Sequence, residues 1–524
     1  MVLAASEGGM TSFFDVIAAY ADAMPDALAI ISEEDGARTY SQLVERSAAL
    51  ATGLAELGVE PTDRLCLWAV NQPAWVEAYM AASAGVFATV AANPEWTDDE
   101  IAFILEHSES TVVICDAVLA ARAVQISARL PKVAHVVVIE HADHPVPEGS
   151  IAYEAVLARA PANPRSALPD NTAYELPNHI MYTSGTTAGR PKAVVGQITG
   201  QSAVDYHEMF GLTASDRAIV VTPFFHGNGM GGLISALLYG ASVVFPRRFS
   251  ASRFWKLVDT YRPTYLFTLS SIVNILMGRP PGPQERRHNM RAGVVLGAAA
   301  TAPAIEERFG FAVVDWYGMT EAGMGTYTRL DEERRPGSAG KRFPDSTMMI
   351  LREEGGEAPP GEVGEVVFQL GTITFDGYLK DDEATRAVVD DQYFHTGDLG
   401  YFDEDGYFYF VDRKKDIVRR GGENISSVEI ESVMRSFPGV GDVAIVGKPD
   451  PVLGERVVAF VVAGEDGPPD QRKLQELVAS HLAHFKVPEA IYLVDELPRT
   501  ATGKVIKKQL REMLPSLEPT TSAS

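Results

Sequence analysis

The chain has 524 residues, 46% of them hydrophobic and 22% charged, a balance that suits a soluble globular protein with large cores and excludes disorder as the main state. Lys and Arg number 45 against 70 Asp and Glu, a net charge of −25 at pH 7. That surplus argues against nucleic-acid partners and against docking on anionic membranes, since both need cations facing anions. A small anionic substrate remains admissible, because a local cationic pocket can sit in an acidic protein.

At about 100–200 residues per domain, the length favours two to four domains. The two cysteines, Cys66 and Cys115, lie in apolar runs. They read as buried thiols, which excludes a disulfide framework and a cysteine-based zinc site. The N-terminus carries acids early and no basic stretch, so no secretory signal is expected. Ala78–Ala92 is too short to span a membrane, and Ala218–Pro246 is broken by Pro223, His226, Asn228 and several glycines. A cytoplasmic protein is expected, as a monomer or a homodimer.

Along the chain, Tyr40–Leu57 has helical spacing and stops at Gly58. Leu65–Val70 and Thr111–Cys115 are β-rich, with helices at Trp75–Ala84 and Glu100–Leu105 between them. The alternation continues through strands at His179–Thr183, Ala218–Thr222, Ala241–Phe245, Thr264–Leu269 and Val294–Leu296. Such alternation predicts parallel, doubly wound sheets. After about residue 340 the strands shorten, as in Gly361–Gln369, and Asp405-Gly406 before Tyr407–Val411 signals a hairpin. After Asp412 come a helix at Val428–Phe437, strands at Val443–Val446 and Arg456–Ala463, and a helix at Asp470–Leu482. The expected fold is α/β: a large N-terminal domain of doubly wound sheets with a β-rich subdomain over 1–412, then a small mobile α+β domain over 413–514. The polar tail 515–524 is expected to be disordered.

The strongest local signal is Thr183-Ser184-Gly185-Thr186-Thr187-Ala188-Gly189-Arg190-Pro191-Lys192, which follows an apolar strand. Glycines let several backbone N–H groups approach one anion, hydroxyls add donors and Lys192 adds charge, a chemistry that suits a polyphosphate. The spacing is neither the Walker pattern nor a dinucleotide fingerprint.

With this loop the chain resembles the adenylate-forming (AMP-binding) superfamily, acyl-CoA synthetase type. The resemblance runs from about Ser12 to Arg511 and carries four further landmarks besides the aromatic–His element Pro223-Phe224-Phe225-His226. They are Tyr317-Gly318-Met319-Thr320-Glu321, Thr396-Gly397-Asp398, the hinge Asp412-Arg413-Lys414-Lys415-Asp416, and Pro498-Arg499-Thr500-Ala501-Thr502-Gly503-Lys504. The run Gly421-Gly422-Glu423-Asn424 is most similar to crotonobetaine/carnitine-CoA ligases.

The resemblance implies ATP, Mg²⁺ and coenzyme A. It implies that Thr183, Ser184, Gly185, Thr186, Thr187 and Lys192 hold phosphates, and that Gly297, Ala298, Ala299, Tyr317, Gly318 and Met319 form the adenine wall. Thr320 would donate to a phosphate and Glu321 would hold the metal as a hard oxygen ligand. Asp398 would accept the ribose hydroxyls, with Arg413 at the edge of the nucleotide. Lys504 would bridge the acyl carboxylate and the α-phosphate, Lys415 would be the hinge, and Gly421 and Gly422 would let the thiol arm of CoA pass. Walls of the acid pocket would come from Phe225, His226, Asn228, Met230, Ser270, Ser271, Gly297, Ala298, Ala299, Met319 and Gly323, a mix that suggests a modest, partly polar acid.

The chain departs from the family pattern at Ala188, which lengthens the loop by one residue, at Ile198 in place of the usual His, and at Gly297-Ala298-Ala299-Ala300-Thr301. An acid–CoA ligase is the leading expectation. A stand-alone amide synthetase that passes the acyl group to an amine, and a catalytically silent nucleotide-binding module, are the alternatives.

Overall fold

A computed structural model describes residues 12–169, 179–183, 191–196, 211–344, 346–371, 373, 375, 377–464, 467–500, 504–517 and 521–522. Two seven-stranded sheets occupy the large N-terminal domain. The first runs Ile151–Ala152, His135–Ile139, Val112–Asp116, Arg64–Trp68, Ala88–Ala91, His179–Thr183, Lys192–Gly196. Every neighbouring pair in it is parallel except the last, where Thr183 pairs with Lys192 in an antiparallel ladder. The phosphate loop therefore joins the edge strand Lys192–Gly196 to its inner neighbour His179–Thr183.

The second sheet runs Ala312–Val314, Ala292–Leu296, Tyr265–Leu269, Arg217–Val220, Ser242–Phe245, Leu28–Ser32, Gly36–Thr39. It is parallel apart from its last hairpin. Strands such as Val112–Asp116 read as continuous apolar runs because helices cover both faces of the sheet. Cys66 and Cys115, on two strands of the first sheet, are both buried, and burial pushes both thiols well above their ordinary range.

Local chemistry explains the helix starts. Thr39 and Gln42 form a capping box at the head of Tyr40–Ala55, and Pro73 opens Pro73–Gly85 at a position that needs no N–H donor. Every residue of that second helix is buried, which is why no amphipathic stripe marks it.

Between residues 316 and 413 the sheets are antiparallel. Trp316–Met319, Gly323–Tyr327 and Lys341–Arg342 form one; Met348–Leu351, Gly364–Gln369, Tyr393–Phe402 and Phe408–Arg413 form a meander. The smaller C-terminal domain packs helices Ser427–Arg435 and Gln471–His481 on a sheet built around the long hairpin Val440–Asp450 and Gly454–Ala463. Leu514, just before the tail, is buried, and Thr521 and Ser522 pair with Ile491 and Ala490, covering a sheet edge otherwise open. Among the described residues, no helix is long and apolar enough to cross a membrane.

Candidate active site

Asp398 lies inside the ten-residue strand Tyr393–Phe402, not in a turn. Gly397 before it takes φ +70, a conformation that favours glycine. The carboxylate is buried. Its Oδ2 accepts the Tyr317 hydroxyl at 2.9 Å. Its Oδ1 lies 3.0 Å from Arg413 Nε as an ion pair but accepts no aligned hydrogen bond. A buried carboxylate oxygen with free lone pairs is costly unless something fills them, so the position fits a ligand that brings hydroxyl donors. Asp398 pairs directly with Arg413 across the ladder, and Lys414 N–H donates to the Gly397 carbonyl at 2.8 Å. The expected hinge segment and the expected ribose acceptor are thus two edges of one ribbon.

Tyr317 is buried with its ring against Phe408 and near-parallel to Phe410. Its strand and Gly323–Tyr327 form the hairpin that presents Thr320 at its exposed tip and Glu321 buried beside it. Glu321 Oε1 accepts the Tyr378 hydroxyl at 2.9 Å. A buried carboxylate of this kind is a hard oxygen donor, which fits Mg²⁺ shared with phosphate oxygens. Among the described residues, no cluster of three or more His, Cys, Asp or Glu offers another metal site.

Gly297, Ala298 and Ala299 follow the strand Ala292–Leu296, with Gly297 at φ +76. The Asp315 carboxylate holds this loop: it accepts Gly297 N–H at 2.9 Å, Ala299 N–H at 2.7 Å and Trp316 N–H at 2.9 Å. Burial pushes its pKa up to about 6 despite those donors. Ser270, which begins the helix Ser270–Met277, comes to Gly297: a Cβ there would lie 3.2 Å from Ser270 Oγ.

His226 caps the helix Gly227–Leu238 with its ring 4.5 Å from Phe225, centroid to centroid. Its buried Nε2 has no partner, and burial pulls its pKa down to about 4. Gly229 is obligatory, since a Cβ would stand 2.1 Å from the Pro223 carbonyl oxygen. Asn228 accepts the Thr222 hydroxyl at 2.8 Å, and Met230 is buried in the main core.

Lys192 holds its ammonium 4.5 Å from the Tyr378 ring centre. Ser184, Gly185, Thr186 and Thr187 lie outside the described residues, as does the side chain of Thr183. Lys504 ends a loop closed by Thr500 N–H to the Lys504 carbonyl at 2.8 Å. The residue is exposed, with the charges of Arg413, Asp398 and Lys415 around its ammonium. Desolvation, then repulsion from Arg413, pulls its pKa down to about 8, while the Asp398 charge acts the other way. Lys415 is shifted down by the same two influences in the same order. Its carbonyl accepts from Arg511, which also pairs with Asp416 at 2.9 Å. So Asp398, Arg413, Lys415 and Lys504 share one electrostatic environment.

Gly421 and Gly422 are not brought to this cluster. They form the two-residue turn of the hairpin Val418–Arg420 and Glu423–Ile425, both at positive φ, and Gly421 N–H donates to the Leu453 carbonyl.

Three contributors escape sequence reading. Asp315 lies between the strands Ala312–Val314 and Trp316–Met319, and its position after an apolar run is its only signal in the sequence. Asn71 donates to the Thr222 carbonyl and accepts Phe224 N–H, fixing the loop before His226 across 153 residues of chain. Tyr378 has no chemical signature in sequence at all.

Residues 17–379 match the AMP-binding enzyme family and residues 429–504 match the AMP-binding enzyme C-terminal domain. Oxalate–CoA ligase of Arabidopsis thaliana is 33% identical over 484 residues, covering 89% of this chain and 91% of that protein. Crotonobetaine/carnitine–CoA ligase of Shigella dysenteriae serotype 1 is 30% identical over 508 residues, covering 94% and 97%. The amide bond synthetase McbA from Marinactinospora thermotolerans superposes with a TM-score of 0.82 at 26% identity, covering 95% and 99%. The chain belongs to the AMP-binding enzyme family. It is a ligase of the AMP-forming acyl-CoA synthetase type.

Proposed function

We propose that this enzyme activates a small, partly polar carboxylic acid as its acyl-adenylate and then passes the acyl group to the thiol of CoA. One observation carries the reading: the buried Asp398 oxygen with free lone pairs, in the same charge environment as Arg413 and Lys504.

In the first step a carboxylate oxygen of the acid attacks the α-phosphorus of ATP, and pyrophosphate leaves. Two anions must meet, so the Lys504 ammonium lowers the barrier by standing between them. Asp398 takes ribose hydroxyls, Tyr317 and the 297–299 loop flank the adenine, and Lys192 with the Thr183–Thr187 run holds phosphates. Mg²⁺, held by Glu321, would neutralise charge on the departing pyrophosphate; Thr320 adds a donor there. In the second step the CoA sulfur attacks the acyl carbon, AMP leaves and the thiol proton passes to solvent.

We assign residues 1–412 and 413–514 as the two moving units, with Lys415 as pivot. Turning the smaller one would bring Gly421 and Gly422 to the cleft that Lys504 vacates. His226 with its lowered pKa is neutral at pH 7, which suits a wall or gate of the acid pocket more than an acid catalyst. The walls named above carry no charge: Phe225, Asn228, Met230, Ser270, Met319 and Gly323 among them. They suit an acid whose tail is uncharged.

A second reading, transfer to an amine, draws support from the likeness to an amide bond synthetase and from Ile198 in place of the usual His. A panel of carboxylic acids, incubated with ATP and either CoA or amines and resolved by mass, tests both. Acyl-CoA as the main product supports the first. Amides formed in preference to acyl-CoA establish the second, and no product with any acid refutes both.

A further inference from the structure

Tyr378 stands between two groups that lie far apart in sequence and come from different sheets. Its hydroxyl donates to Glu321 Oε1 at 2.9 Å, and its ring face carries the Lys192 ammonium at 4.5 Å. The ring is itself held on several sides. Tyr378 forms a β-bridge with Val194, two residues beyond Lys192 on the same edge strand. Leu379 N–H donates to the Ala193 carbonyl at 3.0 Å, and Tyr378 N–H donates to Thr385 Oγ1 at 2.9 Å. The side chain is buried, with Phe375 edge-on at 5.1 Å.

We infer that Tyr378 is a positioning residue that sets the distance between the metal-facing carboxylate and the phosphate-facing ammonium, so that nucleotide and metal are taken up as one unit. The physical reasoning has two halves. A phenol O–H fixes one oxygen of Glu321 and so aims the other, as groups behind a metal ligand do. An aromatic face holds an ammonium without adding a counter-charge of its own, so the ring does not compete with phosphate for the Lys192 charge. A carboxylate in place of the ring would pair with Lys192 and cancel that charge. The inference rests on the reading of Glu321 as the metal ligand and of Lys192 as a phosphate ligand.

The two halves are separable by substitution. Tyr378→Phe keeps the ring under Lys192 and removes only the hydroxyl; Tyr378→Leu removes both. Binding of ATP is measured by calorimetry without any carboxylic acid, in EDTA and across a MgCl₂ series, with Glu321→Gln as reference. The melting temperature of each sample is recorded alongside. Expected for Tyr378→Phe is a wild-type affinity for ATP in EDTA and a MgCl₂ requirement raised about tenfold, the lower end of what such supporting contacts contribute. Tyr378→Leu additionally weakens ATP in EDTA several-fold. A Tyr378→Phe protein with the wild-type MgCl₂ requirement, beside a Glu321→Gln protein whose requirement rises, overturns the role of Tyr378 while leaving Glu321 intact. A Glu321→Gln protein with an unchanged requirement overturns the reading of Glu321 instead. Equal weakening by both Tyr378 variants in EDTA and in MgCl₂, with lowered melting temperatures, makes Tyr378 a packing residue and also overturns the inference.

Discussion

Replacing Asp398 by Ala removes a buried acceptor oxygen that takes no aligned hydrogen bond from the protein. Hydrogen bonds to a charged group contribute about 1.5–3 kcal/mol each, and each 1.4 kcal/mol is about tenfold in affinity. One ribose hydroxyl on Asp398 Oδ1 therefore accounts for about 10- to 150-fold in binding. The substitution also strands the Tyr317 hydroxyl and the Arg413 guanidinium, which face this carboxylate at 2.9 and 3.0 Å. Raw affinity loss would mix those effects with the loss of the ribose bonds. The discriminating assay is a ratio. Wild-type and Asp398→Ala proteins are titrated with ATP, 2′-deoxyATP and 3′-deoxyATP by calorimetry. Losses common to all three nucleotides cancel, and only hydroxyl recognition remains. The wild type prefers ATP over at least one deoxy form by about tenfold or more, and the variant shows a ratio near one. An Asp398→Ala protein that keeps the wild-type ratio refutes the assignment of Asp398 to the ribose.

Lys504, with its pKa drawn down to about 8, loses its charge as pH rises through that value, so kcat/KM for ATP falls above pH 8 in the wild type. The same shift makes folding slightly more favourable over that range, because the unfolded lysine still binds its proton where the folded one has released it. Lys504→Ala slows adenylation far more than acyl transfer from preformed acyl-AMP, and its pH profile lacks the fall near 8; rapid-quench assays of the two half-reactions check this. Gly229→Ala forces a Cβ to 2.1 Å from the Pro223 carbonyl oxygen, costs about 1–3 kcal/mol, and lowers the melting temperature measured by calorimetry. Arg511→Ala frees Asp416 and the Lys415 carbonyl, and slows adenylation more than thioester formation in the same half-reaction assays.

The parallel sheets were legible because a strand buried on both faces must be continuously apolar, as in Val112–Asp116. Strand ends were less so. Val440–Asp450 extends well past the apolar Val443–Val446, because Lys448 and Asp450 pair with Arg456 and Gly454 along a hairpin arm exposed to water. Thr396-Gly397-Asp398 reads locally as a turn, yet it sits in mid-strand. Its neighbour across the ladder, Arg413, decides that, and it comes later in the chain.

The site was legible in its charged and glycine-rich parts, because chemistry restricts those positions to few residue types. Its supports were not. Asp315, Asn71 and Tyr378 act through groups up to 186 positions away on other strands, as Tyr378 does on Lys192. Nothing in their immediate neighbours sets them apart from ordinary core polar residues. The tail 521–522 pairs with a strand edge, and polar composition alone could not announce it.

The central claim is that a carboxylate oxygen becomes bonded to the α-phosphorus. It is tested most directly with an acid labelled with ¹⁸O in both carboxyl oxygens, chosen from the panel for the most AMP formed. After turnover with ATP and CoA, mass analysis of the nucleotide product should find AMP carrying one ¹⁸O. Unlabelled AMP, or ADP with the label in inorganic phosphate, would contradict the account.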